Sequence, residues 1–542
     1  MKKRLLKYKK SNRMKFARKF SKFSEKTPVV SRALLALFSV LVLLFAIRGL
    51  PGNPTAEEMM ASDVWRSEGP LELSPERGRF ALLYSIVEDE SLFFSLPVAR
   101  LATPDLAINR EGKFVSLFAP FLSFLLIPGY FIGKMLGASV LGATAMIGIF
   151  AIGNALLIRA ITMRLGAGKG AASLGALAFL FGTPAFAYAT TLYQHHVSVF
   201  LLLLSIYTLL RWRGFGSLVA VSLLAGVSVP LDNPNAILFL PIVLWAITRM
   251  VWIRFDRNGA NIFAKPAYVL SGLAASIPFG IFFWYNTAVH GGAFQLSGTL
   301  PSVPAISADG RALDNDPNQK SEKRSEESDE KTAVGFFKTR NILNGLYIHL
   351  VSPDRGVVRY APVILFGVLG FFLLYRERRY AIVNVLVGVS MLLLLLYSLW
   401  GDPWGGWAFG SRYLIPAYAL LAIGVGIALE RWKHSLIFLS VFFSILFFSM
   451  GVNTLGALTT SANPPQVQVL ELEALSKKEQ KYTVARNWQY LQESGSKSFL
   501  YRAWVHHFVS AETYYWMVTA FLVGGASVCG VALIREKITQ RS

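Results

Sequence analysis

Carboxylates, guanidinium groups and aromatic rings crowd together in one stretch of this chain, residues 75–130. It holds Pro75, Glu76 and Arg79, then the acidic run Glu88-Asp89-Glu90, then Asp105, Lys113 and the interrupting prolines Pro120 and Pro128. Further chemistry-bearing residues stand at later breaks between apolar runs: His195, His196, Asp232, Asp354, Arg355, Asp402 and Arg412. A carboxylate in such a place can take the proton of an attacking hydroxyl, an effect typically worth ~10²–10⁴-fold in rate. Arginine or lysine can hold a phosphate and stabilise the charge that grows on it as a bond to it breaks. Beside lipid, these residue types suit a lipid phosphate carrying a transferable group. A lipid-linked donor needs no nucleotide-binding domain, and no Gly-rich phosphate loop follows a strand here.

Each of these residues also has a plainer reading. Glu88-Asp89-Glu90 reads as solvated loop acids. Glu76, after Pro75, reads as a charge at a helix N-terminus. Asp105, after Thr103-Pro104, fits a turn or an N-cap. His195 and His196 fit interfacial anchors, and as neighbours they cannot both face one metal from a helix. Asp232 lies between Pro230 and Pro234 and suits turn chemistry. Trp400, Trp404 and Trp407 form an interfacial aromatic belt first and a sugar-stacking surface second.

The elements that position these residues are set by composition. The chain has 542 residues, 54% hydrophobic and only 16% charged, with a mean hydropathy of +0.46. A soluble domain averages about 25% charged residues, so this is a polytopic membrane protein. Lipid satisfies no backbone polar group, and runs of about 20 residues are too long for barrel strands, so the fold class is all-α. The net charge of +22 sits in the N-terminal tail and in short turns, where it reads as a cytoplasmic topology signal rather than a nucleic-acid surface. Cys529 is the only cysteine, which excludes an internal disulfide and a thiolate metal site.

A first crossing at 33–50 follows a basic tail, 1–30. If 114–136 also crossed, every later basic turn, from Arg159 and Arg164 to Arg535 and Lys537, would fall outside. The positive-inside rule therefore makes 116–130 an amphipathic or re-entrant stretch on the outer face. The remaining crossings fall at 139–159, 170–189, 197–211, 216–231, 235–252, 267–287, 358–375, 381–399, 413–430, 435–456 and 513–534, about 12 in all at the usual span length. Both termini are then cytoplasmic. The core spans 31–456, with an external loop 51–137 and a polar external segment at 305–333 whose composition predicts disorder. An external loop or small cap, 457–512, precedes the last helix and tail, 513–542. The runs carry essentially no charge at mid-membrane depth, with Asn154, Asn384 and Asn453 the main polar exceptions, which counts against an ion-coupled transporter.

At its polar landmarks the chain resembles the GT-C class of membrane glycosyltransferases, in particular the protein mannosyltransferase and aminoarabinose transferase-like branch. Glu76 precedes Arg79-Phe80-Ala81, Gly112-Lys113-Phe114 follows, and Ala119-Pro120 stands where that family has a proline pair. Tyr193-Gln194-His195-His196, Leu231-Asp232-Asn233-Pro234, Ser352-Pro353-Asp354-Arg355-Gly356 and Trp404-Gly405-Gly406-Trp407 with Gly410-Ser411-Arg412-Tyr413 resemble its later external turns. The likeness covers roughly residues 30–430. Pro75-Glu76-Arg77 replaces the family's acid pair, and Leu117-Phe118-Ala119 lacks a lysine often found there.

The resemblance implies sugar transfer from a polyprenyl-phosphate donor, on the extracytoplasmic face of the cell membrane, to a protein or glycan acceptor. The general base is Asp105 or Glu76, with Asp89 next. Arg79, Lys113, Arg355 and Arg412 hold phosphate, while His195, His196, Asp232 and Trp407 place donor or acceptor. No metal or other cofactor is expected, and no nucleic-acid partner. The competing expectation is a lipid or glycan transporter (a flippase) of the same membrane.

Overall fold

The computed structural model of the chain describes residues 27–256, 259–307, 309–313 and 337–540. Most of the basic tail lies outside these residues. So does most of the segment read as disordered, 305–333, except 305–307 and 309–313, where Ala305–Ile306 pair with Ala312–Leu313.

The protein is a multi-pass membrane bundle. Helix α1 (Thr27–Ala46) leads to a loop layer holding α2 (Ser74–Val87) and α3 (Leu96–Ala102). Strands β1 (Leu106–Ile108) and β2 (Phe114–Ser116) follow, then α4 (Phe121–Met135), α5 (Ser139–Arg164), α6 (Lys169–Gly182) and α7 (His195–Arg211). Strand β3 (Ser302–Val303) comes from a distant loop and completes a sheet of order β2-β1-β3. The register Leu106↔Ser116 and Leu106↔Val303 stitches that loop to the first one. In the C-terminal part, α8 (Ile415–Trp432) and α9 (Leu436–Leu458) precede α10 (Val484–Ser494) and the last helix, α11 (Ala511–Gln540).

The expectation of about 12 crossings is overturned. Among the described residues only six helices are long and apolar enough to span a bilayer, and seven apolar helices are shorter. Hydropathy counts apolar residues but does not register where a helix stops. The run read as 170–189 ends as a helix at Gly182, before Thr183-Pro184, and restarts for a single turn at Ala185. The run read as 235–252 breaks near Phe239 and turns into a strand at Val251. The run read as 358–375 is interrupted at Ala361 and resumes at Pro362, which leaves a shorter apolar helix ending at Arg376. Proline removes a backbone donor and clashes with the preceding turn, so continuous apolarity does not ensure a continuous helix.

Helix α8 is the most enclosed of the six long helices. Glycine lets its neighbours touch its backbone: a Cβ on Gly370 would stand 1.9 Å from the carbonyl oxygen of Gly424. Association in lipid relies on such close contact, because apolar burial drives little between helices there.

Helix α4 is tied to the loop layer at both ends. Ser123 Oγ donates to Arg79 O at 2.9 Å, and Tyr130 OH and Lys134 Nζ each donate to Glu88 at 2.7 Å. The opposite end of the bundle gathers the start of α1 and the end of α11. Arg159 donates to Ser31 Oγ at 2.6 Å, Gly168 N–H donates to Glu430 at 2.9 Å, and Gly170 packs on Leu533.

Candidate active site

Helix α2 begins at Ser74-Pro75, with proline in the first turn, where no N–H is needed. Its buried face presents Arg79, whose guanidinium lies 4.2 Å from the centre of the Phe118 ring and 5.2 Å from that of Tyr193. Arg412 reaches Tyr193 as well, with its guanidinium 4.9 Å from the ring centre and Nη1 donating to the phenol oxygen at 2.8 Å. Arg412 Nη2 donates to Gly405 O at 2.7 Å, while its Nε has no partner. Among the described residues neither guanidinium is in an ion pair. His195 stacks on Tyr193, rings 5.7 Å apart and 7° from parallel, and its buried Nε2 is unpartnered. Gln194 donates to Asp232 at 3.0 Å and leaves its own carbonyl oxygen unmatched.

Arg79, His195 and Arg412, expected from separate stretches, thus meet around one tyrosine, and Asp232 joins them through Gln194. Burial weakens the hold of Arg79 on its proton, against the pull of Tyr193 and Asp232. Burial likewise raises Asp232, while its bond from Gln194 and the charges of Arg79 and Arg412 favour its anion. Two cations with no carboxylate in contact, beside unfilled hydrogen-bonding atoms, form a site suited to an anion.

The three candidate bases differ sharply. Asp105 is partly exposed at the foot of β1 and accepts from Ser74 Oγ at 2.6 Å. It stands close enough to act on the charge of Arg79. Arg77 steadies this corner by donating to Leu101 O and Thr103 O. Glu76 is fully buried; one oxygen accepts the Leu73 N–H at 2.9 Å and the other is unpartnered. Burial, more than any neighbour, raises Glu76 to about 7. Asp89 is exposed beyond the far end of α2 and accepts from Ser95 at 2.8 Å.

Arg355 is a scaffold. Its side chain donates to the carbonyls of Trp404, Asp354, Gly406 and Asn463 at 2.9–3.2 Å. Gly405 and Gly406 both take positive φ, 70° and 63°, and this turns the Trp404–Trp407 carbonyls toward Arg355 and Arg412. Trp407 Nε1 donates to Gln468 at 3.0 Å, and Arg486 lies over its ring. His196 faces inward from the neighbouring position, with Nε2 2.7 Å from Ala185 O and Nδ1 3.3 Å from the Asn154 amide. Lys113 is exposed and pairs with Glu111 at 2.9 Å.

A second charged cluster was not expected from sequence. Glu72 accepts from Lys497 at 2.9 Å, from Arg48 at 3.5 Å and from Thr460, and also takes the Ser461 N–H at 3.0 Å. Burial raises the Glu72 carboxyl, but Lys497 and Arg48 outweigh it and hold the group below its ordinary value. The one signal available was Arg48, a lone cation at the loop end of the first apolar run. Tyr193, quoted only as part of a motif, proves to be the hub of the site.

No family profile matches this chain, and no curated protein does. Among solved structures it is similar to ArnT from Cupriavidus metallidurans bound to undecaprenyl phosphate, with a TM-score of 0.42 and 13% identity over 92% of this chain and 77% of that one. The apo state of the same protein gives a TM-score of 0.39 and 13% identity over 93% and 78%. A likeness this distant transfers no chemistry.

Proposed function

We propose that the chain is an integral-membrane glycosyltransferase that moves a sugar from a polyprenyl-phosphate donor to an acceptor hydroxyl. The observation that carries this reading is the pair of arginines, Arg79 and Arg412, on Tyr193 with no carboxylate in contact. In this reading they grip the donor phosphate. The acceptor oxygen attacks the anomeric carbon, the bond from that carbon to the phosphate oxygen breaks, and polyprenyl phosphate leaves with its charge held by the arginines. Asp105 takes the proton of the acceptor hydroxyl. It is favoured over Glu76, whose buried carboxyl caps α2, and over Asp89, which lies about 15 Å along α2 from Arg79 at 1.5 Å per residue. His195 Nε2 and Asp232 orient hydroxyls, Trp407 offers a face to the sugar, and Lys113 and His196 stand outside the first contact. Arg355 shapes the turn that carries Trp407.

A groove of about 470 Å³, lined by apolar and aromatic side chains with Ser390, supports a lipid-linked donor. It begins at Leu414, two residues from Arg412, and runs past Val357, Leu394, Phe371 and Val387 to Tyr375. In this reading the site faces the extracytoplasmic side, and both termini are cytoplasmic with the basic turns at the opposite end of the bundle.

The test is transfer from labelled polyprenyl-phosphate sugars by purified wild type, Arg79→Gln and Arg412→Gln. The expected result is loss of roughly 10²–10³-fold in turnover for each variant, the size seen when one donor to a developing anion is removed. Full turnover in both variants would overturn the proposal.

A further inference from the structure

A cleft of about 830 Å³ lies away from this site, on the other side of the C-terminal cap. Its floor is the loop-end half of α9, with Phe447, Phe448, Val452 and Leu455. Its walls are α10 and the first turns of α11, so α9 and α11, two helices long enough to span a bilayer, both line it. Phe448 and Trp516, at the opening, are 54% and 58% exposed. Apolar side chains so exposed at this depth face lipid, and the aromatic rim of Trp488, Tyr515 and Trp516 is typical of a membrane–water boundary.

The polar rim is charged in a particular way. Arg359 and Lys481 both line the cleft and are exposed, and neither side chain makes a hydrogen bond or ion pair among the described residues. The nearby acids are engaged: Glu493 accepts from Gln489 at 2.9 Å, and Glu512 accepts from Gln492 at 2.8 Å. The lining therefore carries two cations without side-chain partners against one carboxylate, Glu493, whose amide partner leaves its charge in place. Away from the cations the floor is apolar, with Phe447, Phe448, Val452 and Leu455, while Gln489, Gln492 and Thr519 add polar groups to the walls. A ligand matching this profile has a phosphate at one end and hydrocarbon at the other, and it enters from the bilayer.

We infer that this cleft is a binding site for an anionic glycerophospholipid of the surrounding membrane. Its phosphate sits between Arg359 and Lys481, its headgroup lies against Trp488, and its chains run down Phe447 and Val452. The exposed Phe448 and Trp516 select this source, because the amphiphile in contact with them is the bilayer lipid itself. The site is independent of the transfer reading. It shares no residue with the Tyr193 cluster, and its test reads binding rather than turnover.

The experiment is native mass spectrometry of the full chain released from micelles titrated with phosphatidylglycerol or phosphatidylcholine. The expected result is a retained phosphatidylglycerol with no matching phosphatidylcholine adduct. Arg359→Gln with Lys481→Gln should raise the phosphatidylglycerol concentration for half-occupancy roughly 10- to 30-fold, the effect of two surface cations on an anionic lipid. Arg359→Lys with Lys481→Arg should restore it, which separates charge from packing. Both positions are exposed, so an unchanged melting temperature is expected and serves as the folding control. Equal retention of the two lipids, or full phosphatidylglycerol binding by the glutamine double variant, would overturn the inference.

Discussion

Two charged clusters sit at the loop end of this bundle, and they are built in opposite ways. Around Glu72, the cations Arg48 and Lys497 meet a carboxylate. Their remaining N–H groups donate to the backbone of Gly456 and Ser67, at 2.8 Å and 3.0 Å. That cluster joins the end of α1, the first loop and the C-terminal cap. Around Tyr193, the cations Arg79 and Arg412 have no carboxylate in contact, and Arg412 Nε and His195 Nε2 are unfilled. A buried charge left short of partners is costly, so a fold keeps such groups where a ligand completes them. The closed cluster ties the loop layer to the chain near 456–497, and the open one is where the proposed transfer would place the donor phosphate.

The largest expected effect falls on the open cluster and its neighbour. Asp105→Asn should lower sugar transfer by roughly 10²–10⁴-fold, the usual worth of a general base. Its melting temperature should stay within about 2 °C, since the amide oxygen still accepts from Ser74 and the site is partly exposed. A transfer assay paired with thermal unfolding checks both halves; unimpaired turnover in the Asp105→Asn enzyme would remove Asp105 from the site.

Glu72→Gln should do the reverse. It strips the carboxylate from two buried cations and should cost about 3–5 kcal/mol of stability. Thermal unfolding in detergent reads this directly. A variant as stable as wild type would mean the cluster is no clamp.

Glu76 lies between the clusters and should show its burial through pH. It keeps its proton to about 7 in the fold, against an ordinary value of 4.5. The folded chain therefore binds the proton more tightly than the unfolded one. The stability that Glu76 contributes is full below pH 4.5 and is lost as pH rises through 7, about 3 kcal/mol in all at ~1.4 kcal/mol per unit. Glu76→Gln keeps the cap to Leu73 and should flatten that slope, leaving the variant more stable than wild type at pH 8. Melting temperatures from pH 5 to pH 8 check it, and parallel curves for the two proteins would contradict it. The smallest effect is expected at Asp89. Asp89→Asn should change neither turnover nor stability by more than about twofold, as at an ordinary exposed site.

The polar landmarks were legible because loops between apolar runs are short and their residue types are unusual for lipid-facing breaks. Arg79, His195, Asp232 and Arg412 were all named from position and type. The same reading put Arg355 with the phosphate binders, because a cation at the loop end of a crossing calls for an anion. The structure gives it backbone carbonyls instead, which is possible only because Gly405 and Gly406 turn the chain toward it. Helix count failed for a related reason. Hydropathy averages over a run, whereas a break at Thr183-Pro184 or Pro362 is a local steric event.

Composition and hydropathy by themselves determined that this is a multi-pass helical membrane protein, because an apolar run about 20 residues long has no other stable form in lipid. Residue type at the breaks also determined which groups could carry charge-based chemistry. Only the tertiary structure decided which of those groups meet. Arg79 and Arg412 are separated by more than half the chain, yet both reach Tyr193. Arg48 and Lys497 close on Glu72 from opposite ends of the sequence. Whether a charge is satisfied depends on distances of a few ångströms between segments that sequence spacing does not relate, so the division between the closed and the open cluster exists only in the folded chain.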